Sequence, residues 1–324
     1  ESSLGFSYTP YLSKLVNDIF LGNLTYYKKN SERSAWAGSL KYYSFGDIQY
    51  NELIGGKIIE QGTERPYELT FDVSYALKLS EKFGMSVAGR YIRSDLKTRN
   101  EGDSNAASSL GIDISGFYRS DPFDWGSQSM LFRSGFNISN IGPRLSYDVG
   151  GDKSFIPTNL KLGFGVDFLF DASNTFGIYT EFNKLLVPSP IPSYDESGNY
   201  LGYRQPDIDF LNGIITSFND AQGGITEELQ EITYAIGFEY RLESVFALRT
   251  GYFHESIQKG SRRYLTMGTG FSLSAFDVDI SYLFSTSNVR SPLDNTLRFS
   301  LTLLLGNVTV NTDDQELTQP NELN

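Results

Sequence analysis

The sequence predicts an all-β protein, a transmembrane antiparallel β-barrel of about 14 strands with long extracellular loops. Three observations predict it. Long runs place an apolar residue at every second position, short and long breaks succeed one another between the runs, and the 324 residues include 21 Tyr and 24 Phe. A period of two is that of a β-strand with one apolar and one polar face.

The clearest runs form a hairpin between Ile232 and His254. Apolar residues alternate with small or polar ones up to Tyr240, and after a break at 242–244 the alternation resumes from Phe246 to Tyr252. Each run is about ten residues long, whereas a strand of a soluble protein has about five or six. A tilted strand of about 9–11 residues crosses an outer membrane.

The other strands follow the same pattern along the chain. In order, we expect them at Leu4–Tyr8, Phe20–Lys28, Trp36–Phe45, Leu69–Leu79, Gly84–Leu96, Leu110–Arg119, Met130–Ile138, Leu160–Phe170, Phe176–Phe182, Leu265–Leu273, Phe276–Phe284 and Leu297–Leu305. With the two strands of the hairpin the total is about 14, an even number, as in bacterial single-chain barrels.

The breaks between the strands predict the orientation of the barrel. Short breaks lie at 29–34, 80–83, 171–173, 242–244 and 274–275, with an intermediate one at 120–128; long breaks lie at 47–66, 97–107, 141–157, 185–230, 255–263 and 286–295. Outer-membrane barrels have short periplasmic turns and long extracellular loops. We therefore expect a barrel over residues 1–306 with both termini in the periplasm, followed by a polar, disordered periplasmic tail over 307–324.

Composition excludes several classes of protein and site. The net charge of −12 argues against nucleic acid as a partner. With no cysteine and a single histidine, disulfides, thiolate metal sites and histidine-based sites are not expected. No run of 18 apolar residues predicts a transmembrane helix, and no signal peptide is visible, so we expect a mature or trimmed form. The competing fold is a soluble β-sandwich or β-solenoid, with the apolar faces packed as a core.

The long break at 185–230 is the candidate functional segment, since structureless loops of this length are uncommon and usually functional. It begins with a proline-rich stretch, which we expect to be extended and stiff. Helical spacing of apolar residues then predicts a short amphipathic helix over 207–218 with Asp207 as its N-cap. The helix is either a lid over the barrel mouth or a docking surface for a partner. The candidate partner-binding residues are Val187, Pro188, Pro190, Ile191, Pro192, Phe210, Leu211, Ile214, Ile215 and Phe218.

The sequence shows no constellation for catalysis, so we expect no enzyme activity and no cofactor or metal. His254-Glu255 lacks the second histidine of a zinc-protease motif. Asp277 and Asp279 share one strand face and could form a carboxylate pair. We favour instead a lumen of mixed charges that form ion pairs, lined by Asp72, Asp113, Arg119, Arg133, Lys161, Asp167, Glu181, Glu239, Arg241, Arg249 and Arg298. His254 is expected at the surface or the membrane interface near a strand end.

Four stretches resemble the PorV (LptO) family of Bacteroidetes, outer-membrane barrels of the type IX secretion system that are related in fold to FadL fatty-acid transporters. They are Gly5-Phe6-Ser7-Tyr8-Thr9-Pro10-Tyr11-Leu12, the run from Pro66 to Leu77, the run from Phe155 to Gly163, and Tyr240-Arg241-Leu242 with Arg249-Thr250-Gly251-Tyr252. The sequence departs from the family at Tyr11, where we expect Trp, and before Glu1, where the family has a Gly- and Asn-Pro-Ala-rich segment.

The resemblance implies a non-enzymatic role in protein transport. Family members dock at the lateral opening of the SprA (Sov) translocon barrel, bind the C-terminal signal domain of secreted cargo, and pass the cargo to the attachment complex with its PorU-like proteins. Outer-membrane lipid is the further expected partner. The competing function is a FadL-like transporter of fatty acids or other hydrophobic compounds, and a surface enzyme is a third, weaker alternative.

Overall fold

A closed antiparallel barrel of 14 strands forms the body of the protein in the computed structural model, which describes residues 1–13, 16–96, 106–147, 153–287 and 294–306. The wall strands are β1 (Ser2–Pro10), β2 (Ile19–Lys29), β3 (Ser34–Phe45), β6 (Tyr67–Lys78), β7 (Phe83–Asp95), β8 (Ala107–Arg119), β10 (Gln128–Ile141), β11 (Asn159–Leu169), β12 (Asn174–Leu185), β15 (Thr233–Leu242), β16 (Phe246–His254), β17 (Arg263–Ser272), β18 (Phe276–Ser285) and β19 (Thr296–Leu304). Shorter elements lie in the connections: β4 (Ile48–Ile54), β5 (Lys57–Glu64), β9 (Phe123–Trp125), β13 (Ile191–Tyr194), β14 (Tyr200–Arg204), α1 (Phe210–Thr216) and α2 (Ile225–Gln230).

Each wall strand pairs with its neighbours in sequence, and β1 pairs with β19 to close the barrel, for example at Tyr8 and Phe299. The predicted fold class and strand number are confirmed. Because the strand number is even, Ser2 and Leu304 lie at the same rim, together with the short turns. The longer connections, including the one between β12 and β15, lie at the opposite rim. No helix in the described parts of the chain has the length and apolarity needed to cross a membrane.

Side chains on the wall strands alternate between the outer surface and the lumen, as the period of two predicts. Outward residues such as Leu24, Leu40 and Phe71 are between 41% and 51% exposed. A bilayer would cover these apolar side chains, whereas in water they would form a large unfavourable surface.

An aromatic belt follows the outer surface near the rim with the long loops. Tyr8, Phe20, Tyr42 and Tyr67 lie on four successive wall strands, and their neighbouring ring centroids are 5.4, 6.0 and 5.7 Å apart. Aromatic rings of this kind mark the level of the lipid headgroups in outer-membrane barrels. The belt places this rim at one membrane surface.

Ion pairs line the lumen, which confirms the prediction for mixed inward charges. Arg90 pairs with the buried carboxylates of Asp72 and Asp113, and Arg133 Nη2 lies 2.5 Å from Asp167 Oδ2. The lumen also holds the pairs Lys161–Glu181, Arg241–Glu239, Arg249–Glu239 and Arg249–Asp279. Asp279, considered above as half of a carboxylate pair, is thus an ion-pair partner of an arginine.

A β-bulge in β10 connects this network to the long loops. The register between β8 and β10 shifts within 138–141, and Asn140 has a φ of 59°. Its amide oxygen accepts a hydrogen bond from Arg90, its backbone N–H donates to Asp113 Oδ1 at 2.8 Å, and its carbonyl accepts from Thr158 Oγ1 at 2.7 Å. Asparagine tolerates this left-handed conformation better than most residues.

The connection at 47–66, expected as a long loop, contains the hairpin β4–β5. Gly55 and Gly56 form its turn with φ angles of 59° and 79°, which suit glycine. Leu53 and Ile58 are 71% and 76% exposed near its tip. The short β9, which pairs with β10 at the other rim, was not predicted either.

Candidate functional site

The connection from β12 to β15, residues 186–232, folds into the hairpin β13–β14 followed by α1 and α2. α1 is shorter than the predicted helix. Its N-cap is Asp209, whose Oδ1 accepts from the backbone N–H groups of Leu211 and Asn212 at 3.0 and 3.1 Å. The predicted cap, Asp207, lies farther upstream and pairs with Arg144. α2 was not predicted, and the predicted tail at 307–324 lies outside the described residues.

The underside of α1 packs on the loop between β10 and β11. Gly213 is buried there, and a β-carbon at this position would lie 2.9 Å from Phe155 Cε1 and 3.1 Å from Pro188 Cγ. The Arg144 guanidinium lies 4.7 Å from the Phe155 ring centroid and donates to Asp207 Oδ1 at 3.0 Å. Glycine at 213 therefore lets α1 approach its support closely, and Arg144 ties the two loops together.

The proline-rich start of the connection is anchored as well. The backbone N–H of Leu186 donates to the Thr158 carbonyl at 2.8 Å, and Leu186 is buried. Ser189 donates from both its backbone N–H and its hydroxyl to Asp220, at 2.8 and 3.1 Å. Ile191 and Pro192, at the end of the stretch, belong to β13 and are extended as predicted, whereas Val187 lies in a bend. The anchored stretch forms part of a fixed support.

An ion-pair cluster fastens α2 to the barrel rim. Lys184 Nζ, near the end of β12, lies 2.9 Å from Glu228 and 2.8 Å from Glu231. Lys259, from the loop between β16 and β17, lies 2.6 Å from Glu227 and 3.0 Å from Glu231. The cluster therefore joins a wall strand, α2 and a second loop, and each lysine lies between 28 and 47 residues from the glutamates that it pairs with.

Two buried glutamates of these loops, Glu228 and Glu255, have a lowered pKa. Burial acts to raise the pKa of Glu228, but hydrogen bonds from Lys184 and from two backbone N–H groups outweigh it, so the pKa lies below the ordinary value. Burial also opposes ionisation of Glu255, where hydrogen bonds from Arg262 again give a lowered pKa. Burial lowers the pKa of Lys259, but its hydrogen bonds to Glu227 and Glu231 raise it by more, so the pKa lies above the ordinary value.

The outer face of α1 carries an exposed apolar surface. Leu211, Ile215 and Phe218 are 55%, 70% and 51% exposed, and in α2 Ile225 and Leu229 are 77% and 64% exposed. We call these five residues the helix patch. They lie on a segment that is fixed from below, so the patch has a defined shape.

The predicted partner-binding residues differ in burial. Five are exposed: Leu211, Ile215 and Phe218 in the helix patch, and Pro190 and Ile191 elsewhere in the connection. The half-buried residues are Val187, Pro192, Phe210 and Ile214, and Pro188 is buried. Sequence reasoning missed Ile225 and Leu229. The signal was weak, because α2 has only six residues and apolar spacing is informative over longer windows.

Two adjoining cavities lie beneath this connection. The one at the barrel mouth has a volume of about 890 Å³ and is lined by Pro188, Tyr203 and Lys259, among others. The one in the lumen has a volume of about 1210 Å³, and both are lined by Phe253 and Tyr264. Among the described residues, no group of acidic or histidine side chains could hold a metal ion.

Comparison with known proteins relates the chain to one family and one fold. Residues 1–192, more than half of the chain, match the family model described as type IX secretion system protein PorV. A search of curated protein sequences finds no match.

Among solved structures, the Pseudomonas putida toluene transporter TodX aligns with a TM-score of 0.50 at 12% identity, over 93% of this chain and 88% of that one. A deltaS2S3 mutant of TodX, a monoaromatic hydrocarbon channel, aligns with a TM-score of 0.51 at 12% identity, over the same shares of the two chains. A FadL homologue from Pseudomonas aeruginosa aligns with a TM-score of 0.42 at 9% identity, over 93% and 89%. The TodX alignments show a shared barrel fold. The chain is thus an outer-membrane barrel and belongs to the PorV family of type IX secretion system proteins.

Proposed function

We propose that this protein docks at the lateral opening of the SprA (Sov) translocon, binds the C-terminal signal domain of secreted cargo, and passes the cargo to an attachment complex with PorU-like proteins. Family membership supports the secretion context. The observation that carries docking is the helix patch, a set of exposed apolar side chains on a fixed loop. Apolar surfaces of this kind on otherwise polar loops commonly mark protein interfaces.

The fixed support of the patch favours binding. A disordered loop would lose conformational entropy on docking, whereas a loop already held by Arg144, Ser189 and Lys184 has less to lose. The apolar anchors are on helices, so their relative positions are set before a partner arrives. This arrangement suits a component that must bind and release partners repeatedly.

Co-purification tests the docking step. The triple variant Leu211→Ser, Ile215→Ser and Phe218→Ser removes exposed apolar anchors, so we expect a folded barrel. Truncating each anchor of an interface costs more than about 1 kcal/mol, so affinity for the translocon should fall on the order of 100-fold. The control, Leu53→Ser with Ile58→Ser, removes apolar residues that are at least as exposed from the β4–β5 hairpin.

The control variant should retain the translocon in a mild detergent extract, and the triple variant should lose it. Retention by the triple variant would refute docking through α1, and equal loss in both variants would show that exposed apolar area in general is required. Pull-down of an isolated cargo signal domain with the same variants separates cargo binding from translocon binding.

We also propose that both ends of the barrel chain face the periplasm and the long loops face the cell surface, as in other outer-membrane barrels. The chain has no cysteine, so single cysteines can report topology. Leu201→Cys, at the exposed β14, should react with a membrane-impermeant maleimide on intact cells. Ser31→Cys, in the turn between β2 and β3, should react only after the outer membrane is opened. The reverse pattern would invert the orientation.

The second candidate function is transport of fatty acids or other hydrophobic compounds. Its support is the pair of adjoining cavities, about 890 and 1210 Å³, in a barrel that shares its fold with a toluene transporter. Uptake of a labelled fatty acid into liposomes that contain the purified protein would favour transport. Liposomes with the protein that take up no more than empty liposomes would exclude it for that compound.

A further inference from the structure

A basic site on the outer surface, at the rim with the long loops, carries an inference beyond secretion. Tyr234, His254 and Arg263 form a row across β15, β16 and β17, each directly opposite the next. By the alternation of the strands their side chains point away from the lumen, in line with the outward Leu265, which is 41% exposed. The row lies at the ends of its strands, where headgroups meet the barrel.

The side chains of this row are arranged to present hydrogen-bond donors. The rings of Tyr234 and His254 stack with centroids 4.7 Å apart, and the hydroxyl of Tyr252 lies 3.3 Å from His254 Nδ1. These contacts fix the imidazole beside Arg263. The Nε of Arg263 is buried and has no hydrogen-bond partner among the described residues.

Arg263 differs from the arginines of the lumen, which have carboxylate partners. Lumen arginines such as Arg90, Arg133 and Arg249 pair with carboxylates of neighbouring strands. In the described part of the chain Arg263 forms no ion pair, although it points toward the lipid side of the wall. A cation on that side needs an anion supplied from outside the protein.

A second outward arginine at the same rim repeats this chemistry. The Nε of Arg93, on β7, donates to the Tyr67 hydroxyl at 3.3 Å, and the neighbouring Tyr91 hydroxyl lies 3.0 Å from Ser108 Oγ. Arg93 has tyrosine hydroxyls beside it and, like Arg263, forms no ion pair within the described residues. Two arginines at one level of the wall, each with tyrosines, match a layer of anionic groups in the membrane.

We propose that Arg263, with His254 and Tyr234, binds a phosphate on the headgroup of a membrane lipid in the leaflet at the long-loop rim, and that Arg93 makes a second contact of the same kind. The guanidinium offers two parallel N–H donors, which fit phosphate oxygens in a bidentate hydrogen bond. The tyrosine rings lie at the level of the lipid headgroups, where their hydroxyls can also donate hydrogen bonds. The site would order a shell of lipid around this side of the barrel.

Native mass spectrometry of the full-length chain in mild detergent tests the proposal. The probes are bis-phosphorylated lipid A, the same lipid with its phosphates removed, and inorganic phosphate as a competitor. The variants are Arg263→Gln, Arg93→Gln and Arg263→Lys. The control is Lys28→Gln, an exposed cation of β2 opposite Trp36 at the other rim.

The wild-type protein should retain phosphorylated lipid A at least tenfold more strongly than the dephosphorylated lipid, because charge-assisted hydrogen bonds to phosphate are lost with the latter. Arg263→Gln should weaken retention about tenfold, Arg263→Lys should restore part of it, and Lys28→Gln should leave it unchanged. Folding of each variant is checked by the heat-dependent shift of the barrel in electrophoresis.

Equal retention of the two lipids, unchanged retention in a folded Arg263→Gln variant, or an equal loss in Lys28→Gln would each overturn the proposal. Inorganic phosphate distinguishes the source of the anion. If millimolar phosphate displaces the lipid completely, the site binds free phosphate and the assignment to a lipid is wrong. The result is independent of docking by the helix patch, which lies on a different segment.

Discussion

Removal of the Glu228 carboxylate tests whether the ion-pair cluster holds α2 in place. Glu228 is 8% exposed. Its Oε1 accepts from the backbone N–H groups of Asp220 and Ala221 at 2.8 and 2.9 Å, and its Oε2 accepts from Lys184 at 2.9 Å. In Glu228→Ala two backbone donors lose their partner, while Lys184 keeps Glu231 at 2.8 Å.

The remaining ion pair, Lys184 with Glu231, limits the loss of stability of α2. Hydrogen bonds to a charged acceptor contribute about 1.5–3 kcal/mol each, but neighbouring bonds are not additive and the freed N–H groups gain access to water. We therefore expect the free energy of local opening of α2 to fall by about 3 kcal/mol, which is on the order of a 100-fold increase in the opening equilibrium. Glu228→Gln keeps a neutral hydrogen-bond acceptor, so the free energy of local opening should fall by about half as much as in Glu228→Ala.

Hydrogen–deuterium exchange measured by mass spectrometry on peptides that cover 219–231 reads this equilibrium directly. The control is Thr226→Ala, an exposed change in the same helix. Exchange in Glu228→Ala that stays within threefold of the wild type would refute the role of the cluster. Equal acceleration in Thr226→Ala would show that α2 is sensitive to any substitution.

Three further predictions concern the supports of the loops. Gly142→Ala should lower the thermal midpoint of the barrel by many degrees, since a β-carbon there would lie 2.0 Å from a carbonyl oxygen of β8; Gly89→Ala, with nothing within 4 Å, is the control. Glu255 has a lowered pKa, so its stabilisation is complete above the ordinary value of 4.5 and is lost as the pH falls through the folded pKa. A spin label at Ile257→Cys should therefore become more mobile below about pH 4.5, whereas in a Glu255→Gln background it should not respond in that range. Asn140→Gly should unfold at a lower temperature than the wild type but at a higher one than Asn140→Ala, because glycine adopts the left-handed φ readily and alanine does not. A thermal scan measures this, and equal midpoints for the two variants would contradict it.

The wall of the barrel could be predicted from the sequence because its pattern is local. Alternation in a run such as Leu69 to Leu79 defines the two faces of a strand without reference to its neighbours. Pairing between neighbours in sequence then follows from the short turns. The even strand number, the closed barrel and the mixed-charge lumen all derive from these local facts, and the structure confirms them.

The loops depended on contacts that no local pattern encodes. Lys184 and Glu228 are 44 residues apart, and nothing near either residue indicates the other. The sequence predicts Asp207 as the N-cap of α1, but Asp209 takes that position and Asp207 pairs with Arg144 of another loop. The β4–β5 hairpin is the exception, because a Gly-Gly pair between two apolar stretches is a local signal for a two-residue turn.

The sequence left a lid and a docking surface as alternatives for the helix of the long loop, but the geometry of α1 makes them compatible. One face carries Gly213, which packs on Pro188, a residue that lines the cavity at the barrel mouth. The opposite face carries Leu211 and Ile215, both more than half exposed. Because residues three and four apart share a helix face, a partner can bind the outer face while the inner face stays on the mouth. Docking therefore requires no opening of the barrel, and variants of the outer face should leave the rate of any transport through the lumen unchanged.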